Sequence, residues 1–339
     1  MIVQKFIPLR SVLTFAGAHL IWLSLYSIFV ALLYNYVGWK WVAIPWLPVT
    51  LIGTAVAFYL GFKNSQAYDR TWEARKIWGA IVNSSRSWGV MVNSFIDNPN
   101  IEAEELSKLK TKLIFRHIAW LYTLREQLLE PTPWEHVSLG RIFGTINVKR
   151  KENYGIGKFT EYLSQNQETR YFAERNLWEY AANPATQIIG IQSKELMSLK
   201  NNQHLDLFHQ IELQNMLNEF YTYQGQAERI KKFPFPRQFA NSSFLLNSIF
   251  IFLLPLGMAN EFSKLGDIGI WFMVPLSALV SWVFIIMELV GDYSENPFEG
   301  LVYDIPMLSI CRTIEIDLLQ LSGETDIPKP IQSVNNVMM

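Results

Sequence analysis

The residues of this chain that could carry out chemistry lack the spacing of a catalytic or metal site. Its five histidines are scattered, and G-x-S-x-G, G-x-x-x-x-G-K-S/T and H-E-x-x-H motifs are absent. Three acids, Glu102, Glu104 and Glu105, stand where a helix is predicted to begin, and acids there complement the helix dipole. His204 and His209 are five apart, so they do not share a helical face. We therefore expect no enzyme activity, no cofactor and no bound metal.

The composition of the chain indicates which class of protein surrounds these residues. Half of the 339 residues are hydrophobic, and the formal net charge is only −1. A chain of this kind is too apolar for an ordinary soluble domain and too polar to lie wholly in lipid. The near-zero charge argues against nucleic acid as a partner. The single cysteine, Cys311, excludes internal disulfides and is expected to be a buried helix residue.

Four apolar runs, at 11–36, 42–62, 239–258 and 268–290, are each long enough to cross about 30 Å of hydrocarbon. The first run is followed by bulky Trp39, Trp41 and Trp46 rather than by a small-residue cleavage site, so it is a spanning helix and not a signal peptide. The fourth run carries Glu288, which we expect to border the aqueous side because a carboxylate at the bilayer centre is costly. His19 is expected to be a hydrogen-bonded packing residue.

The long polar region between the second and third spans must fold in water. The second span is predicted to continue as a charged helix to about residue 95, and apolar spacing predicts further helices at 101–130, 183–200 and 204–230. Residues 134–169 are predicted to be a loop-dominated insertion. The predicted divisions are 1–62 (spans one and two), 63–237 (cytosolic helices), 238–291 (spans three and four) and 292–339 (cytosolic segment and tail).

Lysine and arginine residues next to the spans predict the orientation. With four spans, nine of them fall on one side, while only Lys40 and Lys264 fall on the other. The positive-inside rule then places both termini and the central region in the cytosol of a multi-pass plasma (inner) membrane protein. The tail after Gly323 is expected to be extended or disordered unless it docks on a neighbour.

The second span has a pattern that could line a pore. Thr54, Phe58 and Phe62 recur every four residues and so share one helical face, on a segment rich in glycine and alanine. These side chains could instead face lipid or the core of the subunit. If they line an ion path, several copies of the helix must surround one axis, and rings of Phe58 and Phe62 would form a constriction that gates by dewetting. Aromatic rings can favour an anion or a cation, depending on their tilt.

Two motifs resemble those of prokaryotic members of the bestrophin family. They are the segment GFKNSQAYDRTWEARKIWG at 61–79 and the ENPF element at 295–298. The resemblance implies an all-α, ring-shaped homopentamer with one axial pore, four membrane helices and a large cytosolic helical region. It implies that Thr54, Phe58 and Phe62 form a membrane neck and that Ile211 forms a cytosolic aperture, although Ile211 could equally be a core residue. Thr54 stands where the family usually has a bulky apolar residue, so the outer neck is expected to be wider or wetter.

The resemblance also implies the function. The expected activity is passive conduction of small monovalent ions, with chloride or other anions first; a sodium or potassium channel of the same fold and a non-conducting scaffold are the alternatives. The expected partners are further copies of the chain, membrane lipid and the permeating ions. Arg70, Trp72 and Glu73 are expected to be structural. Animal members bind calcium with an acidic run after N-P-F, and because most of those acids are missing here, we expect no calcium activation.

Overall fold

The chain folds into long α-helices. The computed structural model describes residues 1–6, 9–138, 147–149, 169–266 and 268–339, so most of the predicted insertion at 134–169 lies outside the described part. The principal helices are α1 (Leu9–Asn35), α2 (Trp46–Phe95), α3 (Ala103–Leu129), α4 (Pro184–Asn201), α5 (Leu207–Lys232), α6 (Arg237–Ser263), α7 (Gly269–Ser294) and α8 (Met307–Leu321). Within the described residues β-pairing is limited to isolated bridges, and the predicted all-α class is confirmed.

The chain divides into two compact units. The membrane unit comprises Gln4–Arg70 and Pro234–Glu295, and the polar unit comprises Met1–Val3, Thr71–Phe233 and Asn296–Met339. The described residues include four helices that are long and apolar enough to cross a membrane, which agrees with the four predicted spans. The chain is therefore a membrane protein.

Helix α2 is continuous over 50 residues, as the sequence predicts. Pro48 lies in its first turn, where the missing N–H has no partner to lose, and no proline follows until the helix has ended. At about 1.5 Å per residue the helix is about 75 Å long. One continuous helix therefore contains both the apolar span and the charged segment that follows it.

The core of the membrane unit forms where α1, α2, α6 and α7 pack together. Val49, Val56 and Leu60 of α2 are buried in a cluster that includes Phe250 of α6 and Met273 of α7. Gly53 permits this approach, since a Cβ built there would lie 2.6 Å from the Phe250 ring. The small residues of α2 thus serve close packing at Gly53, as expected.

The core of the polar unit includes a helix that the sequence analysis did not assign. Helix α8 packs Leu308, Cys311 and Leu318 at helical spacing into the main cluster of this unit. Cys311 is fully buried, as expected, and burial raises the pKa of its thiol.

The C-terminal tail packs on its own chain and is not disordered. Met339 and Val337 are buried, and the Ser309 N–H donates to the Met339 carbonyl at 2.8 Å. Ile327 and Ile331 add apolar contacts to the core of the polar unit. The tail contains no helix after Gly323 and is therefore extended, one of the two expected states, and contacts within its own unit rather than with a neighbour hold it in place.

Candidate pore-lining site

The predicted pore-facing residues lie on the side of α2 that the subunit core leaves uncovered. Phe58 is 80% exposed and Phe62 is 46% exposed, whereas Val56 and Leu60 on the other side are buried. Thr54 is also exposed. These side chains therefore do not pack in the core of one subunit, and they remain available to line a path or to meet another surface.

Thr54 is less polar than its residue type suggests. Its hydroxyl donates to the Thr50 carbonyl at 2.9 Å, within the same helix. The hydroxyl proton is therefore already used in this bond. Toward its surroundings, the Thr54 side chain offers its methyl group and the acceptor lone pairs of its oxygen.

Phe62 has an aromatic neighbour that the sequence analysis missed. The ring of Phe239, near the start of α6, lies 6.1 Å from the Phe62 ring and 6.4 Å from the Tyr59 ring, measured between centroids. This separation is within the range of favourable aromatic pairs. The sequence does show that an aromatic residue, Phe239, begins the third span. Local spacing could not show which ring of another helix Phe239 would contact.

A buried ion pair fixes α2 directly after Phe62. The Lys63 ammonium lies 2.6 Å from Glu288 Oε1, and the Ser243 hydroxyl donates to Glu288 Oε2 at 2.6 Å. Only 3% of the Lys63 side chain and 11% of the Glu288 side chain are exposed. Three helices, α2, α6 and α7, thus meet at one carboxylate, which fixes the rotation of α2 about its own axis.

The pair is also made possible by a glycine. A Cβ at Gly291 would lie 2.6 Å from Asn64 Oδ1 and 3.4 Å from the Lys63 side chain. Because Gly291 has no side chain, α7 can approach α2 closely enough for the ammonium and carboxylate to touch. Glu288 is expected at the aqueous border from its position in the fourth span, but nothing in the local sequence indicates Lys63 as its partner.

Ile211 lies near the start of α5, pointing away from the core of the polar unit. It is 44% exposed, while Leu213, Leu217 and Phe220 on the other side of the helix are buried. It is therefore not a core isoleucine. Phe208, one turn earlier, is 79% exposed and was not singled out by the sequence analysis, although its spacing of three from Ile211 puts it on the same face.

Asp206 caps α5 just before this apolar pair. Its carboxylate accepts from the backbone N–H groups of Phe208 and His209 at 2.7 and 3.2 Å. Desolvation acts to raise the pKa of Asp206, but these hydrogen bonds and the neighbouring His209 ring outweigh it and lower the pKa below its ordinary value. Phe208 and Ile211 therefore lie in the first turns of a helix whose N-terminus is capped by Asp206.

The N-P-F element begins a loop whose carboxylates are already engaged. In the polar unit, Asn296 donates its side-chain amide to Glu135 at 2.9 Å, and the Lys231 ammonium contacts the same carboxylate and the Phe298 carbonyl. Glu299 contacts His136 at 3.0 Å.

Asp304, at the end of this loop, accepts from the Leu301 N–H at 2.9 Å. The loop is therefore held by an internal ammonium and by hydrogen bonds. Across the described residues, no three histidine, cysteine or acidic side chains come together as metal ligands.

Arg70 and Glu73, two of the three residues expected to be structural, make contacts with other parts of the chain. Arg70 donates to the Glu295 carbonyl at 2.6 Å within the membrane unit. Glu73 pairs with Arg229 within the polar unit. Each of these contacts joins helical segments within a single unit.

Solved structures with the same fold are known. A bacterial bestrophin homologue from Klebsiella pneumoniae superimposes with a TM-score of 0.69 at 21% identity, covering 90% of this chain and 98% of that one. At this identity the match establishes the fold.

Proteins related to this chain in sequence have names that describe one activity, the formation of anion channels. The voltage-dependent anion channel-forming protein YneE of Escherichia coli K12 is 28% identical over 325 residues, covering 95% of this chain and 91% of the relative. The protein of the same name from Salmonella typhi is 30% identical over 285 residues, covering 83% and 78% respectively. The model of the family described as Bacterial/Fungal Bestrophin protein matches residues 6–320, and the chain belongs to that family.

Proposed function

We propose that this chain is the subunit of a homopentameric channel that passes small anions, chloride first, through a neck lined by Thr54, Phe58 and Phe62. The observation that carries the proposal is the uncovered aromatic face of α2 in a helix whose other face is buried in the subunit core. A subunit alone leaves this face without a partner. Several copies around one axis would turn the same faces toward a shared path.

The chemistry of the neck suits a gated, weakly binding pore. Rings of Phe58 and Phe62 offer no charge to trap an ion, and an apolar constriction can close by losing its water. The edges of aromatic rings carry partial positive charge, so rings that present their edges favour an anion. The names of the relatives support anion rather than cation conduction.

The cytosolic aperture is proposed at Ile211, with Phe208 beside it. Both side chains are exposed at the start of α5. Residues farther along the same face, at Asn215, Asn218 and Thr222, are exposed and polar. In the proposed pentamer, Phe208 and Ile211 would form a short apolar ring, and the polar residues beyond it would line a water-filled chamber. The apolar ring would act as a second constriction.

The proposed setting is the plasma (inner) membrane, with both termini and the polar unit in the cytosol. The excess of lysine and arginine at one end of the four spans supports this orientation. The protein is proposed to act as a passive channel rather than as an enzyme.

The test is electrical. Purified protein is reconstituted into planar bilayers with unequal potassium chloride concentrations on the two sides, and the reversal potential is measured. We expect its sign to be that of chloride permeation. A reversal potential of the opposite sign would assign the pore to cations, and the absence of conductance in folded protein would exclude the channel.

A further inference from the structure

The membrane unit contains a cavity of about 690 Å³ that the proposed pore does not use. It lies between α1, α6 and α7, and the side chain of Lys63 from α2 reaches its wall. Its volume is within the range of small-molecule sites. Each wall is one helical face: on α6, for example, Arg237, Phe244, Ile251 and Phe252 recur at helical spacing.

The cavity is charged at one end. Arg237, at the start of α6, lines it together with Lys63, Glu288 and Asp292. Lys63 and Glu288 are engaged with each other. Arg237 uses Nη1 to contact Glu295 at 3.1 Å, whereas its Nη2 atom is buried and has no hydrogen-bond partner among the described residues. The Nη2 atom is therefore a donor without an acceptor, while 40% of the Arg237 side chain as a whole is exposed and lines the cavity.

The other end of the cavity is mainly aromatic and aliphatic. Tyr26 of α1 stacks on Phe252 of α6 with ring centroids 5.7 Å apart, and its hydroxyl donates to the Phe252 carbonyl at 2.8 Å. Arg237 and Phe252 are 15 residues apart on one helix, which corresponds to about 22 Å along its axis. The site is thus long, with a cationic donor at one end and aromatic and aliphatic walls beyond it.

We propose that this cavity binds a membrane glycerophospholipid. The phosphate accepts from the partly exposed Arg237 guanidinium, and one acyl chain lies along Phe244 and Ile251 toward Phe252. A guanidinium is well suited to phosphate oxygens, which accept strong charge-assisted hydrogen bonds. A soluble anion would leave the apolar walls without contact, whereas an acyl chain covers them. The lipid would also lie against Lys63 and Glu288, the pair that holds α2 beside Phe62.

The test measures lipid retention by native mass spectrometry, with dioleoylphosphatidylglycerol as the probe. Ser248 lines the cavity and is exposed, and its hydroxyl donates to the Phe244 carbonyl of the same helix at 2.7 Å. Leu245 is exposed on the same helix but does not line the cavity. We expect Ser248→Trp to abolish the tightly retained lipid and Leu245→Trp to keep it. Equal retention by the two variants would overturn the proposal.

A second matched pair of tryptophan variants provides the test if the first variant does not fold. Asn241 lines the cavity near its charged end and Ser242 does not, while both are exposed. If Ser248→Trp does not fold, Asn241→Trp is expected to lose the lipid and Ser242→Trp to retain it. Equal retention by this pair would also reject the site.

The phosphate contact is tested separately. Arg237→Lys keeps a cation near Glu295 but removes the second donor nitrogen, so it should weaken phosphatidylglycerol retention while leaving dioleoylglycerol, which has no phosphate, unaffected. Retention of dioleoylglycerol as strong as that of phosphatidylglycerol in the unaltered protein would refute the phosphate contact. Displacement of the lipid by inorganic phosphate alone would refute the acyl contact. These are binding measurements, so their outcome is independent of whether the protein conducts ions.

Discussion

At the scale of single residues, the proposed channel depends on the exposed rings of α2. Phe58 and Phe62 are large, uncharged and largely uncovered in the subunit. A ring of such side chains excludes water until the opening is wide enough to hold it. The energy barrier to an ion is then set by side-chain size rather than by charge.

Replacing Phe58 and Phe62 with alanine should increase single-channel conductance. The smaller side chain widens the constriction and lowers the cost of wetting it. The measurement is current through single channels in planar bilayers, with Phe272→Ala as the matched control, because Phe272 is an exposed aromatic residue of α7. Unchanged currents in Phe58→Ala and Phe62→Ala would separate these residues from the pore.

A second residue-scale effect concerns a histidine in the polar unit. His117 is buried among Trp88, Trp120 and Phe220, and one ring nitrogen lies 2.9 Å from the Ser85 hydroxyl. Burial lowers the pKa of His117 to about 3. The folded protein therefore holds this ring neutral, because a charged imidazolium would lose its hydration among the aromatic residues.

His117 should make the protein less stable as the pH falls. Its folded-state pKa lies below the ordinary histidine value, so the unfolded chain binds more protons between those two values. The stability is complete above about pH 6.5 and is lost as the pH falls toward 3, at up to about 1.4 kcal/mol per pH unit for one proton.

This pH dependence is measured as the melting temperature in detergent between neutral and mildly acidic pH. We expect His117→Gln to flatten the dependence, since glutamine does not titrate. The control is His209→Gln, which removes a half-exposed histidine of the same unit. Equal slopes in His117→Gln and the unaltered protein would contradict the prediction.

At the scale of elements, the rotation of α2 depends on contacts outside the pore face. The Lys63–Glu288 pair and the close approach at Gly53 and Gly291 hold the buried face of the helix. Any change that frees this face would also turn Phe58 and Phe62. Pore geometry is therefore a property of helix packing as much as of the residues that line it.

Lys63→Met should destabilise the protein by about 3–5 kcal/mol, because it leaves the buried Glu288 carboxylate without its counter-ion. The double variant Lys63→Met/Glu288→Gln should recover much of that loss, since glutamine is neutral and can still accept from Ser243. The melting temperature in detergent measures both. A double variant no more stable than Lys63→Met would show that the charge is not the cause.

A further element-scale expectation concerns the loop after N-P-F. Lys231 supplies an internal cation to Glu135 and to the Phe298 carbonyl, while Glu299 is engaged by His136. Binding calcium there would require breaking these contacts. We therefore expect channel currents to be the same with added calcium as with excess chelator, and a reproducible calcium-dependent rise would contradict this.

At the scale of the whole molecule, the proposed pore requires several copies of the chain. The spanning helices of one subunit pack against one another and leave the Phe58 face of α2 uncovered. In the proposed channel, other copies of the chain complete the path, and the family resemblance implies five.

The subunit count in detergent tests this directly. We expect the mass of the purified protein to correspond to five copies of the 39.3 kDa chain after the contribution of detergent is removed. Native mass spectrometry measures the count. A dimer would be incompatible with a shared axial pore of this design.

The sequence by itself determined the features that depend on local pattern. Hydropathy and length predicted the four spans, the helix-compatible charged residues after the second span predicted its continuation to about residue 95, and the four-residue spacing predicted a common face for Thr54, Phe58 and Phe62. These predictions succeed because hydrogen bonding within a helix and burial of apolar runs act between near neighbours in the chain. Helix α8 carried the same kind of signal and could have been found.

Tertiary structure alone decided which distant residues meet. Lys63 and Glu288 are 225 residues apart, and no local periodicity indicates that the lysine after one span should pair with the acid in another. The Phe239 ring beside Phe62, the tail packed on its own unit and the cavity between α1, α6 and α7 likewise depend on how helices pack. Packing depends on the shapes of whole faces, so a pairing that is ambiguous in the linear sequence becomes definite only when the helices are in contact.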